Sequence, residues 1–215
     1  MHQPPASKKS TEPKRSIEEI IDDELRENPQ IRSGASHYDH LSKEFRTTKD
    51  RSRLFRGIRR HAVSQYVLTA PPHGTQLVML NDGAFDYLFD LKSERTVLAW
   101  GVSKPAPPNS RDDSYLGGFP TAGEQMDKGH MMGHALGGRE GGPNIFKQDR
   151  RFNRGWSRNG KLWRKIETYL AANADAPAFV RLIYTRGNET EKPEEVEYGM
   201  VSLRGQFRSA IFPNR

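Results

Sequence analysis

The first clear pattern of hydrophobic and polar positions along the chain has the period of an α-helix. It follows Ser16-x-x-Glu19, a capping-box pattern typical of a helix N-terminus, and it stops at Asn28-Pro29. The apolar positions on one face of this segment are Ile17, Ile20, Ile21 and Leu25. Residues 36–64 have a second helical pattern. We therefore predict two helical segments, after a disordered tail over residues 1–15 that is rich in Pro, Ser and Lys.

The period changes near residue 65, where we place a domain boundary between an extension (1–65) and a folded domain (66–215). Strands are predicted for VSQYVLTAPP (63–72), GTQLVMLND (74–82), AFDYLFDLK (84–92), RTVLAWGVS (95–103), AFVRLIYT (178–185) and EEVEYGMVSLRG (194–205). The second, third and fourth of these runs are separated by turn signals and predict an antiparallel meander. Residues 104–125, rich in Pro, Gly and Ser, predict a long loop of the kind used for function or left disordered.

Composition indicates a polyanionic partner and excludes several kinds of chemistry. The chain has 34 Lys and Arg against 27 Asp and Glu, a net charge of +7, and no cysteine. It therefore has no disulfide scaffold, no thiolate zinc site and no cysteine nucleophile. With no signal peptide and no run of about 18 apolar residues, we expect cytoplasmic synthesis and no membrane segment. Export by a route that needs no signal peptide remains an alternative.

The predicted helix over residues 36–64 carries a run of positive charge. Its cations over residues 43–60 are Lys43, Arg46, Lys49, Arg51, Arg53, Arg56, Arg59 and Arg60, against Glu44 and Asp50. Such a run is usually a solvated helix face, and the functional alternative is an arm or docking surface that contacts phosphates.

The stretch from Met126 to Glu167 concentrates the residue types needed to hydrolyse a phosphodiester. A histidine suits the activation of water at neutral pH. Oxygen ligands suit a divalent cation that stabilises the leaving oxygen, and arginine or lysine suits a phosphate. The stretch supplies His130, a glycine-dense loop, several amides and many cations.

These residues also resemble a known family. Asp127-Lys128-Gly129-His130 is similar to the Asp-Arg-Gly-His signature of the DNA/RNA non-specific endonucleases, the endonuclease G-like branch of the His-Me finger (ββα-metal) nucleases. Asn144-Ile-Phe-Lys-Gln148 and Asn153-Arg-Gly-Trp156 resemble its Asn-x-x-x-Gln and Asn-x-Gly-x-Trp elements. The resemblance implies an α+β fold. In that fold an antiparallel sheet carries a ββα-metal element: a strand around His130, a loop, a short strand around Ile145 and a helix from about Asp149.

The resemblance also implies a role for each matched residue. His130 would be the general base, and Asn153 would hold Mg²⁺ or Mn²⁺. Asp127, Asn144 and Gln148 would support the metal's water shell and the loop. Lys128 stands where the family has arginine and lacks the bidentate fork, so Arg154 or Arg151 would compensate.

Glu167 is a candidate second metal ligand whose spacing departs from the family. It follows Asn153 by fourteen residues, about 21 Å on an unbroken helix, instead of about eight residues. An inserted turn at Asn159-Gly160 would bring it back. Otherwise Glu167 is an exposed helix residue.

Other residues of the stretch have two interpretations each. His134 follows His130 by four residues, but no glutamate follows His130 and no third zinc ligand stands out, so His134 is expected to be structural or to face the substrate. Trp156, Trp163, Ile166 and Leu170 match a buried helix stripe, with stacking of bases on the tryptophans as the alternative. The interleaved cations are expected to contact backbone phosphates, Arg151 and Arg158 among them.

The function predicted from the sequence is a metal-dependent endonuclease acting on DNA, with RNA as a second substrate. One alternative is a nucleic-acid-binding module that kept the scaffold and lost catalysis. Another is a toxin-type nuclease, whose basic N-terminal region would serve delivery or bind an inhibitory (immunity) protein.

Overall fold

The computed structural model describes residues 15–107, 110 and 125–215. Its strands are β1 (Arg32–Ser33), β2 (Leu77–Asn81), β3 (Asp86–Asp90), β4 (Arg95–Val102), β5 (Met126–His130), β6 (Ile145–Asp149), β7 (Pro177–Ile183), β8 (Glu195–Val201) and β9 (Phe207–Pro213). Seven of them form an antiparallel sheet in the order β1-β9-β8-β7-β4-β3-β2. The other two, β5 and β6, form a separate antiparallel hairpin.

Helices cover both faces of the large sheet. They are α1 (Ile17–Glu27), α2 (Asp39–Thr48), α3 (Arg51–Thr69), α4 (Arg150–Asn153) and α5 (Arg158–Ala172). On one face Tyr38 packs on Phe179 and on His61 of α3. On the other face Trp163 of α5 packs on Tyr198 of β8, with ring centroids 4.5 Å apart. Because both faces are covered, the central strands are almost continuously buried, which explains their long apolar runs.

The fold class predicted from the sequence is confirmed. The fold is α+β, the three runs over residues 74–103 form the meander β2-β3-β4, and 178–185 and 194–205 contain β7 and β8. The capping box of Ser16 and Glu19 is present at the start of α1. The hairpin β5–β6, followed by α4 and α5, supplies the expected strand, loop, strand and helix.

One strand assignment was wrong, and two strands, β1 and β9, were not predicted. Residues 63–69, predicted as a strand, belong to α3, because its buried residues recur at helical spacing: Leu54, Ile58, Ala62 and Tyr66. The strand β9 follows β8 through a short turn and pairs with it along its whole length.

The region before residue 65 packs in the same core as the sheet. Residue 65 itself lies inside α3, and β1 pairs with β9 at the sheet edge. Ile17, Tyr38 and Leu54 are buried in one cluster with residues of the sheet. Residues 1–14 of the predicted tail over 1–15 and most of the predicted loop over residues 104–125 lie outside the described residues.

Asp90 at the end of β3 is a buried anchor between α3 and the meander. Its carboxylate accepts hydrogen bonds from the Tyr66 hydroxyl (2.8 Å), the backbone N–H groups of Gln76 (2.9 Å) and Lys92 (3.1 Å), and the Ser93 hydroxyl (3.1 Å). Burial opposes ionisation, but these hydrogen bonds outweigh it and hold the pKa of Asp90 below its usual range.

In the described part of the chain, β2 is one edge of the sheet, and its residues Leu77–Asn81 carry no charge. Met79 and Leu80 are exposed there. No helix among the described residues is both long and apolar enough to cross a membrane.

Candidate active site

The hairpin β5–β6 distributes the Asp127-Lys128-Gly129-His130 motif over two faces. Asp127 is paired with Gln148 and His130 with Ile145. Because side chains alternate along a strand, Lys128 and His130 share one face and Asp127 lies on the other. A Cβ at Gly129 would collide with the Gln148 amide, so this position requires glycine.

Gln148 itself is buried against Gly129, and its Nε2 has no hydrogen-bond partner among the described residues. The structure therefore places it as a packing residue of the hairpin. Its predicted part in a metal water shell stays a prediction.

Asn144 fixes the conformation of the glycine-dense loop that follows His130. Its Nδ2 donates to the carbonyl oxygens of Met132 (2.9 Å) and Arg139 (2.7 Å), and its Oδ1 accepts from the Met132 N–H (2.9 Å). The side chain is fully buried. Since these bonds use both amide hydrogens and the oxygen, Asn144 holds the loop in shape, which is the second of its two predicted roles.

Glu140 in this loop contacts both histidines of the site, a role not predicted from the sequence. Its Oε2 lies 2.8 Å from Nε2 of His130, and its Oε1 lies 3.2 Å from Nδ1 of His134. The Glu140 side chain is buried, so its interaction with the imidazoles is only weakly screened by water. The only sequence signal for this contact is an acidic residue between two glycine pairs, Gly137-Gly138 and Gly141-Gly142.

Asp127 joins β5 to the first turn after the hairpin. It accepts hydrogen bonds from Nε of Arg150 (3.0 Å), from Nε (2.7 Å) and Nη2 (3.3 Å) of Arg154, and from Nδ2 of Asn153 (3.4 Å). Burial opposes ionisation of Asp127, but the bonds from Arg154, Arg150 and Asn153 hold its pKa below the usual range. Asp127 is thus an anionic anchor for α4.

The helix breaks between Asn153 and Glu167, but at Arg154–Ser157, before the predicted position. Gly155 has φ +69° and turns the chain, while Asn159 and Gly160 lie inside α5. A Cβ at Gly133 would lie 2.7 Å from Oε1 of Glu167, so Glu167 faces the loop that begins after His130. The break therefore brings Glu167 toward the histidine end of the hairpin.

Asn153 and Glu167 both lie beside Arg164 of α5. Nη2 of Arg164 donates to the Asn153 carbonyl oxygen (3.2 Å). Burial raises the pKa of Glu167 to about 7, offset in part by a hydrogen bond from Trp163 and by the charge of Arg164. A half-buried, poorly compensated carboxylate and an amide whose nitrogen is bound to Asp127 are ligand types that suit Mg²⁺ or Mn²⁺, and Glu167 and Asn153 stay the predicted ligands. The described residues contain no group of three or more His, Asp or Glu side chains arranged to bind a metal ion.

The cations predicted to contact nucleic acid differ in their surroundings. Arg151 is exposed on α4. Arg158 is bound to α1, through Glu24 (2.7 Å) and Glu27 (3.3 Å). Among the basic residues of 43–60, Arg53 is paired with Glu44 at 2.7 Å.

The predicted buried stripe is correct for Trp163, Ile166 and Leu170 but wrong for Trp156. Trp156 lies in the break between α4 and α5 instead of on a helix, so helical spacing does not apply to it.

Comparisons with known proteins found similarity only to solved structures. No protein-family model and no curated protein matches the chain. A structure described as an "extracellular endonuclease" is 16% identical, with a TM-score of 0.42 over 68% of this chain and 82% of its own. A second, described as an "extracellular nuclease", is 16% identical, with a TM-score of 0.38 over 68% of this chain and 88% of its own. The function proposed below therefore rests on this chain's own side chains.

Proposed function

We propose that the chain is a metal-dependent endonuclease that hydrolyses phosphodiester bonds of DNA, with RNA as a second substrate. The observation that carries this proposal is the contact between His130, at the end of β5, and the buried carboxylate of Glu140 at 2.8 Å. A histidine oriented by a carboxylate is an arrangement that activates water at neutral pH.

The contact also supports a choice between the two nitrogens of His130 as the base. A neutral imidazole has one N–H, and an ionised carboxylate can only accept a hydrogen bond. With Glu140 ionised, the contact supports a proton on Nε2 of His130, and we propose that Nδ1 takes the proton from the attacking water. The imidazolium formed in this step is stabilised by the charge of Glu140.

Hydrolysis of a phosphodiester also needs a cation at the phosphate and a divalent metal ion at the leaving oxygen. Residues near the hairpin are proposed to meet both needs. Lys128 shares the face of His130 on β5 and is proposed to balance phosphate charge, while Arg154 is oriented by Asp127. Asn153 and Glu167 are the residues that would hold Mg²⁺ or Mn²⁺. Such an ion supplies charge stabilisation at the leaving oxygen.

Digestion of plasmid DNA and of RNA tests the proposal, with wild type and His130→Ala compared in Mg²⁺, Mn²⁺ and EDTA. We expect cleavage that needs a divalent ion and falls about 10²- to 10⁴-fold in the variant. His73→Ala is the matched control, because His73 is an exposed histidine that contacts Ser93 outside the site. Binding without cleavage by folded wild type would replace the proposal with a binding module.

A further inference from the structure

Trp156 is an exposed indole beside the proposed site. Of the three tryptophans, Trp100 and Trp163 are 4% and 3% exposed, whereas Trp156 is 61% exposed. An exposed aromatic surface of this size is a common feature of binding sites rather than of solvated surface.

The local backbone holds Trp156 at the surface. Gly155 reverses the chain at the end of α4, and the backbone N–H of Trp156 donates to the Arg151 carbonyl oxygen (2.9 Å). The next N–H, of Ser157, donates to the same oxygen (3.1 Å). Because the turn is closed by these bonds, the indole is fixed outside the core that contains Phe152 and Trp163.

Arg154 connects the indole to the proposed site. Its guanidinium carbon lies 5.1 Å from the centroid of the Trp156 ring, within cation–π range. The same guanidinium binds Asp127, which also accepts a hydrogen bond from Asn153. One chain of contacts therefore runs from the proposed metal ligand to the tryptophan, and Arg150 and Arg151 add positive charge around it.

We propose that Trp156 and Arg154 form a stacking platform for one unpaired nucleobase, and that the protein binds single-stranded nucleic acid in preference to duplex. The position of the platform beside the scissile phosphate rests on the function proposed above. A surface indole can stack only on a base that has left its neighbours, since both faces of a paired base are covered within a duplex. Every base has a π-face, so the platform would select unpaired strands without selecting sequence.

Tryptophan fluorescence tests the platform directly. The full-length protein is titrated in EDTA, which removes divalent ions, with a single-stranded oligodeoxynucleotide, with the same strand as a duplex, and with a strand of equal length that lacks bases. Since Trp100 and Trp163 are buried, the acrylamide-accessible emission comes from Trp156. We expect quenching by the single strand, and weak quenching by the duplex and by the abasic strand.

Substitution separates stacking from charge. Trp156→Ala should weaken binding of the single strand about 5- to 100-fold, and Trp156→Phe should weaken it less. Leu68→Ala, which removes an exposed apolar side chain on α3, should bind as wild type does. Thermal melting of each variant establishes that it is folded.

The platform is overturned if Trp156→Ala binds the single strand as wild type does, or if abasic or duplex DNA quenches as strongly as the single strand. The outcomes for the two proposals are distinguishable. Quenching by single strands without cleavage under any metal would refute the nuclease and keep the platform. Cleavage that depends on His130, without quenching of Trp156 fluorescence, would refute the platform and keep the nuclease.

Discussion

Glu140 shows that, at the scale of single residues, the proposed chemistry depends on a side chain outside the recognised motif. It lies 2.8 Å from His130 and 3.2 Å from His134, two histidines four positions apart. The amide side chains of the motif, by contrast, lie in the protein interior. Asn144 and Gln148 are fully buried, and their contacts are structural.

Glu140→Gln should lower the rate of cleavage and shift its acid limb to lower pH. The carboxylate stabilises the protonated imidazole, so removing its charge weakens His130 as a base. The shift is measured as the pH–rate profile of cleavage. An unchanged profile in a folded variant would restrict Glu140 to a structural role.

Gln148→Met should leave stability unchanged or raise it by about 1 kcal/mol, with cleavage retained. The Nε2 of Gln148 is buried without a partner among the described residues, and replacing an unsatisfied polar group by an apolar one of similar shape removes a desolvation cost. Chemical denaturation and a cleavage assay check both points. Loss of cleavage at full stability would restore the water-shell role predicted from the sequence.

At the scale of elements, the break between α4 and α5 decides where three proposed functional residues lie. Gly155 turns the chain so that Asn153 ends one helix, Trp156 stays outside, and Glu167 on the second helix faces Gly133. Without the turn, the rise of a single helix would separate the two proposed metal ligands.

Gly155→Ala should destabilise the protein by about 1–3 kcal/mol and reduce cleavage. A side chain here needs φ +69°, and its Cβ would also collide with Arg164. Gly187→Ala is the control, because Gly187 has φ +81° with open space around it and lies outside the site. A loss of stability no larger than that of the control would mean that the Arg164 side chain moves away from the new Cβ at little energetic cost.

The sequence predicts the elements whose pattern is local, and it fails where packing decides. The capping box at Ser16 and the meander follow from spacing and turn residues, whereas the hairpin around His130 follows from the family resemblance. The strand prediction for residues 63–69 is wrong because β-branched and aromatic residues favour strands, while tertiary packing of Tyr66 keeps α3 helical. Glu140 was given no role and Trp156 was wrongly assigned to a buried stripe, since their contacts depend on a loop and a turn with no periodic pattern.

At the scale of the whole molecule, one core joins the helices before residue 65 to the sheet after it. A chain beginning at residue 66 should therefore fail to fold, because it lacks Ile17, Tyr38 and Leu54. Circular dichroism with thermal melting checks this. A cooperative transition in the shortened chain would instead support two independent domains with the boundary predicted from the sequence.

Asp90 makes the attachment of α3 to the meander sensitive to acid. Its folded pKa lies below the unfolded value, so its contribution to stability is present above the unfolded pKa and is lost as pH falls through the folded pKa. Asp90→Asn should cost about 1–3 kcal/mol at neutral pH and flatten the fall in melting temperature below about pH 4. An equally steep fall in the variant would assign acid sensitivity to other carboxylates.

The uncharged edge strand β2 has a practical consequence for anyone who purifies this protein. Within the described ranges, Leu77–Asn81 forms an edge with exposed apolar side chains, without the lysine or proline that commonly prevents strands of separate molecules from joining. Concentrated stocks should therefore lose monomer on storage through this edge. Leu80→Lys is the substitution of choice for crystallisation trials, because Met79 already contacts the guanidinium of Arg59.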